Sequence, residues 1–119
     1  MTPTVFMEEL SQQAINDEKV TLIQKVYSTH LPDEVSRLIA FTSDNSIFIA
    51  DERRLLSFKE ILHAADTMHV DFVRYGIIPL IDCYDNDFIV FNFKTQSWSM
   101  FNIVDQISFN DGQELKDLL

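Results

Sequence analysis

From Ile77 onward, three apolar-rich runs, Ile77 to Cys83, Phe88 to Phe93 and Trp98 to Ile103, are separated by the short polar stretches Asp85-Asn86-Asp87 and Lys94-Thr95-Gln96-Ser97. Runs of this length, rich in β-branched and aromatic residues and joined by connections of hairpin size, predict an antiparallel meander. The middle run is nearly continuous in apolar residues, as a strand covered on both faces would be.

The first half has the helical period instead. Thr4 opens a first helix in which Phe6, Leu10 and Ala14 share a stripe. A second runs from about Glu18 with Val20, Ile23, Val26 and Tyr27 inward, and stops near His30. Leu31-Pro32-Asp33-Glu34 marks a third start, since proline is tolerated in a first turn and acids suit the positive end of the helix dipole. Val35, Leu38, Ile39 and Thr42 supply its buried face. Ile47 to Ala50 reads as a strand, placed at a sheet edge, that ends at the charged turn Asp51-Glu52-Arg53-Arg54. Ser57 and Glu60 have capping-box spacing before a helix with Phe58, Ile61, Leu62 and Ala65 inward, ending near Met68. His69 to Gly76 reads as a connection that uses the backbone freedom of Gly76. In the tail, Asn110-Asp111-Gly112 is expected to turn into a short helix over Gln113 to Leu119. The fold class is α+β: N-terminal helices packed on one antiparallel meander of about four or more strands, in a single domain over residues 1–119.

A length of 119 residues suits one domain, and 46% hydrophobic with 24% charged residues suits a buried core. Nineteen acids against nine bases leave a formal charge of -10, which repels phosphate backbones and anionic membranes, so neither nucleic acid nor membrane is expected as a partner. The start, Met1 to Glu9, lacks a basic segment and meets two acids early, unlike a secretory signal. The single cysteine, Cys83, cannot form an intramolecular disulfide. A cytoplasmic protein is expected.

No catalytic constellation stands out. Two glycines in all exclude a phosphate-binding glycine loop, and His30, His63 and His69 have no metal-ligand spacing. Cys83 has no basic neighbour to activate it. Asp82, Asp85 and Asp87 bunch at one turn, but the calcium-loop pattern fails: position twelve from Asp85 is Gln96, and the glycine is missing. No metal and no cofactor are expected. Residues 82–111 hold Asp82, Asp85, Asp87, Asp105 and Asp111 against Lys94 alone. They are either solvated turns or a docking face for a basic protein, with Tyr84 and Trp98 as aromatic anchors. For Trp98 the core is the alternative place.

Two stretches resemble the SUKH superfamily, a group rich in bacterial immunity proteins and related to the yeast Smi/Knr family. Leu31-Pro32-Asp33-Glu34-Val35 is similar to the family's Leu-Pro step before a helix, and Ile78-Pro79-Leu80-Ile81-Asp82-Cys83-Tyr84-Asp85-Asn86-Asp87-Phe88-Ile89-Val90-Phe91 to its proline-bearing hairpin. Ser43-Asp44-Asn45-Ser46 keeps only the Asn of the family's Asn-Gly-Gly segment. The resemblance spans about Asp17 to Phe109. It implies a non-catalytic immunity protein that binds and neutralises a toxin domain, often a nuclease; the charge and aromatic pattern then places the expected binding face at Asp82, Tyr84, Asp85, Asp87 and Trp98, with Asp105 and Asp111 nearby. An anionic inhibitor would occupy the site where a basic nuclease grips phosphate. Two alternatives stay open: a regulatory or scaffold module of the same fold, and a small enzyme that divides acid and base roles between Asp85 and Asp87.

Overall fold

The first helix, α1 (Pro3–Gln12), starts one residue earlier than its apolar stripe indicates, because Thr2 is the cap: its Oγ1 accepts the Val5 N–H at 3.2 Å, with Pro3 following it. The computed structural model describes Met1–Leu119. Asn16 caps α2 (Asp17–Tyr27), accepting the Lys19 N–H at 3.1 Å, and Asp17 and Glu18 occupy its first turn. Pro32 precedes α3 (Asp33–Phe41), which buries Val35, Leu38 and Ile39. Phe6 of α1 meets Phe41 of α3 edge to face at 5.3 Å.

After β1 (Ile47–Ala50) the charged segment divides. Only Asp51 and Glu52 turn, Glu52 with φ of 55°, while Arg53 and Arg54 belong to β2 (Arg53–Leu55). The expected four-residue turn is therefore a two-residue hairpin. The capping box forms at α4 (Phe58–Leu62): Ser57 Oγ accepts the Glu60 N–H at 3.2 Å, and Glu60 Oε1 accepts the Ser57 N–H at 3.0 Å. This helix does not continue to Met68. His63 breaks it at φ -108° and ψ 14°, and α5 (Ala64–Met68) follows in a new phase that buries Ala64 and leaves Ala65 exposed. The 69–76 connection holds a further turn of helix, α6 (Phe72–Tyr75), capped by Asp71 and closed by Gly76 at φ 72°. The φ of 72° favours glycine here, and a Cβ on Gly76 would lie 2.6 Å from the flexible Lys94 stem and displace it.

Strands β3 (Ile77–Asp82), β4 (Asp87–Asn92), β5 (Ser97–Asn102) and β6 (Ile107–Gln113) complete a six-stranded antiparallel sheet in the order β1-β2-β3-β4-β5-β6, followed by α7 (Leu115–Leu118). β1 stands at an edge, as expected. β6 corrects the reading of the tail. Trp98 pairs with Gln113 and Met100 with Phe109, so Asn110, Asp111 and Gly112 together face Ser99 as a bulge inside a strand, with Asn110 at φ 52° and Gly112 at φ 73°. The local turn chemistry was real, but the chain returns to the ladder at Gln113.

Both sheet faces are covered, which is why β3 and β4 are buried almost throughout. On one face Phe91 and Trp98 lie together; Trp98 Nε1 donates to Glu34 Oε1 of α3 at 2.9 Å. On the other, Phe101 packs against Phe72 and Tyr75 of α6. Tyr27 joins α2 to α4, its hydroxyl donating to the Ile61 carbonyl at 2.6 Å in the buried core. The result is one α+β domain in which helices precede and flank a meander. No helix is long and apolar enough to cross a membrane.

Cys83 is 7% exposed, and burial pushes its thiol up to about 11. Thiolate is the reacting species, so labelling by a disulfide reagent at pH 8 should be on the order of a hundredfold slower in the native protein than in urea. Equal rates in the two states would contradict this burial.

Candidate functional site

In an antiparallel meander alternate hairpins close at the same end of the sheet. The β1–β2 turn (51–52), the β3–β4 turn (83–86) and the β5–β6 turn (103–106) share one end, while the β4–β5 turn (93–96) lies at the other. The Ile103 N–H donates to the Asn86 carbonyl at 2.9 Å and joins two of these turns directly. Topology thus brings Asp82, Tyr84, Asp85, Asp87 and Asp105 to one end, and adds Asp51 and Glu52, which were not among the sequence candidates.

These groups divide by task. Asp82 is half-buried: Oδ1 accepts the Tyr84 N–H at 2.8 Å and Oδ2 accepts from Arg54 Nη2 at 3.2 Å. Asp87 Oδ1 accepts from Asn102 Nδ2 at 2.9 Å. Both shape the turn. Tyr84, Asp85 and Asn86 occupy the left-handed region in succession, at φ of 65°, 52° and 68°, conformations that Asp and Asn tolerate and Tyr disfavours. Tyr84 is held there with its side chain 39% exposed. Asp51, Glu52, Asp85 and Asp105 are exposed.

The two arginines of this end are already engaged. Arg53 donates to the carbonyls of Leu118 at 3.0 Å and Glu52 at 2.8 Å. Arg54 grips Glu60 with two hydrogen bonds, at 2.8 and 3.0 Å, besides Asp82. The turn carboxylates therefore present negative charge outward without a free base beside them. Apolar groups stand among them. Phe48 is 52% exposed, and it lines an open cleft of about 810 Å³ with Met1, Pro3, Asp51, Glu52 and Tyr84. Val104, at the tip of the β5–β6 turn, is 67% exposed. Two exposed aromatic residues lining one cleft with carboxylates suit a cationic side chain, which gains from ring faces and charges together.

Two of the seven sequence candidates lie elsewhere. Trp98 is 4% exposed and belongs to the core, so it is no anchor for a partner. Asp111 rides on the β6 bulge beside Asn92, Ser97, Ser99 and Ser108, away from the turn end. Phe48 was illegible because Ile47-Phe48-Ile49-Ala50 is apolar at every position: alternation alone says which residues share a face, and nothing local says which face is covered.

Asp85 and Asp87 line none of the five principal clefts, so the pair has no walls to exclude water. No group of three or more His, Cys, Asp or Glu side chains converges to hold a metal ion. No protein family, curated protein or solved structure matches the chain.

Proposed function

We propose that this chain is an immunity-type protein of the SUKH kind, acting in the bacterial cytoplasm by binding and neutralising a basic toxin domain. A single observation carries the reading: three hairpin turns converge at one end of the sheet with outward carboxylates, internally engaged arginines and an exposed aromatic cleft. The carboxylates of Asp51, Glu52, Asp85 and Asp105 steer a basic partner and speed encounter. Phe48, Tyr84 and Val104 then supply the desolvated contact, since charge at a rim contributes rate and specificity more than affinity. Inhibition follows by occupation. A nuclease domain that grips phosphate with lysines and arginines loses that surface to the carboxylates, and no catalytic group is required of the inhibitor.

The test begins with affinity capture from the native organism at low and then raised salt. A basic polypeptide retained near stoichiometry and released by salt is the expected result. The triple variant Asp51→Lys, Asp85→Lys, Asp105→Lys should then associate at least ~10-fold more slowly at low salt and fail to inhibit. These three carboxylates make no internal ion pair, so the variant should keep its circular dichroism. Undiminished binding by the folded variant would overturn the assignment of this face. Recovery of an endogenous housekeeping complex would turn the reading to a regulatory module.

A further inference from the structure

β6 pairs with β5 on one side only; its other side is a free sheet edge. Edge strands invite pairing by another chain, and proteins blunt them with lysine, proline, bulges or a covering helix. The blunting of β6 is uneven. Its second half carries the Asn110–Gly112 bulge and the charge of Asp111. Its first half, Ile107-Ser108-Phe109, has no charge, no proline and no bulge. Ile107 is 59% and Phe109 38% exposed, on the sheet face they share with Asn102 and Met100. The adjoining turn adds Val104.

Charge selects the occupant. Asp105 and Asp111 bracket the open half, and from Thr95 to Leu115 the chain contains no lysine, arginine or histidine. A second copy would bring two acidic edges together, whereas a cationic strand would find carboxylates at both ends and apolar side chains between. The patch also continues the turn end through Val104 and Asp105. We infer that the Ile107–Phe109 edge accepts an extended, lysine- or arginine-bearing segment of a protein partner as a seventh strand. This rests on the reading that the partner is a basic protein, and adds how it docks: main-chain hydrogen bonds to β6, with alternate side chains over Ile107 and Phe109 and beside the flanking carboxylates.

The probe is an acetylated, amidated peptide of alternating lysine and valine, seven residues long, against the full chain. Its comparator carries the same charges but is N-methylated at alternate residues, which removes pairing donors. The parent peptide should slow amide hydrogen exchange within Ile107–Phe109 and bind at least tenfold more tightly than the comparator. Ile107→Lys, at a side chain already facing solvent, should erase that difference with the fold intact. Equal affinities of the two peptides would overturn strand addition, as would slowing confined to the 51–52 and 83–86 turns, or β6 amides already protected in a self-dimer seen by sedimentation. Equal peptide affinities together with a triple turn variant that no longer holds the basic partner would remove strand addition and leave toxin neutralisation standing. Peptide discrimination together with an undiminished triple variant would keep strand addition and remove the turn end as the binding face.

Discussion

Replacing Trp98 with alanine will destabilise the protein by about 3–5 kcal/mol, the range for deleting a large buried aromatic. A domain of this size is stable by about 5–15 kcal/mol, so the variant will melt more than about 10 °C lower and populate unfolded chain near body temperature. The reason lies in three simultaneous losses. The indole is 4% exposed, so its volume becomes a cavity between β5 and the helical layer. Its edge-to-face contact with Phe91, at 5.3 Å and 67°, disappears. The Nε1 hydrogen bond to Glu34, which joins strand to helix across 64 residues of sequence, disappears as well. Glu34→Gln keeps an acceptor at that place and should cost less than about 1 kcal/mol, because Glu34 is exposed and lines an open cleft with Trp98 that water can enter. A Trp98→Ala melting point within a few degrees of wild type would contradict the packing described. Loss of partner binding in that variant reports on the fold, whereas the same loss at Tyr84 or Phe48 reports on the surface.

Arg54→Leu is the second large effect, about 2–3 kcal/mol at neutral pH, less than a fully buried triad would give because Glu60 is 39% exposed. The guanidinium side chain is 18% exposed and bridges Glu60 of α4 and Asp82 of β3; without it these two carboxylates are left with no cation between them. The pH dependence has a definite sign. Hydrogen bonding from Arg54, reinforced by the Ser57 N–H, outweighs burial and holds the Glu60 carboxyl below its ordinary value of 4.5. A carboxylate with a depressed folded value contributes stability that is present above the unfolded value and lost as pH falls through the folded one. The stability gap between wild type and Arg54→Leu should therefore be full above about pH 5 and shrink below about pH 4. Urea titrations at pH 7 and pH 3.5 measure it, and an equal gap at both would refute the linkage. Because Asp82 also accepts the Tyr84 N–H, the substitution should loosen the β3–β4 turn and weaken partner binding beyond its effect on stability.

The capping box at Ser57 and Glu60 and the helix start after Pro32 were legible because both signals are local: the box acts on N–H groups within one turn of itself, and Asp33 and Glu34 sit in the first turn at the positive end of the dipole. The last three runs were legible because short polar connections leave antiparallel pairing as the economical arrangement. β2 and β6 escaped notice for a shared reason. Each carries turn chemistry, Arg53-Arg54 in β2 and Asn110-Asp111-Gly112 in β6, and each is held as a strand by a ladder, β2 against the sequence-distant β3 and β6 against β5 on both sides of its bulge. The breaks at His63 and Asp71 likewise come from packing demands on short helices, where propensity is a weak force.

The candidate site was half legible. Tyr84, Asp85 and Asp105 stand at the turn end as the charge pattern proposed. Phe48, Asp51 and Glu52 joined them only because an odd number of strand reversals returns the chain to the same end of the sheet, a property of topology that no local window contains. Trp98 and Asp111 left the site for the same kind of reason: the first is covered by α3, and the second is carried away by a bulge that is defined only against Ser99. Sequence by itself determined what each segment could form and how much charge the surface must carry, because caps, side-chain period and net charge are properties of neighbours along the chain. Tertiary structure alone decided which carboxylates are spent on arginines and which face outward, because that depends on Arg53 reaching Leu118 and Arg54 reaching Asp82, contacts 65 and 28 residues apart that exist only once the sheet has closed.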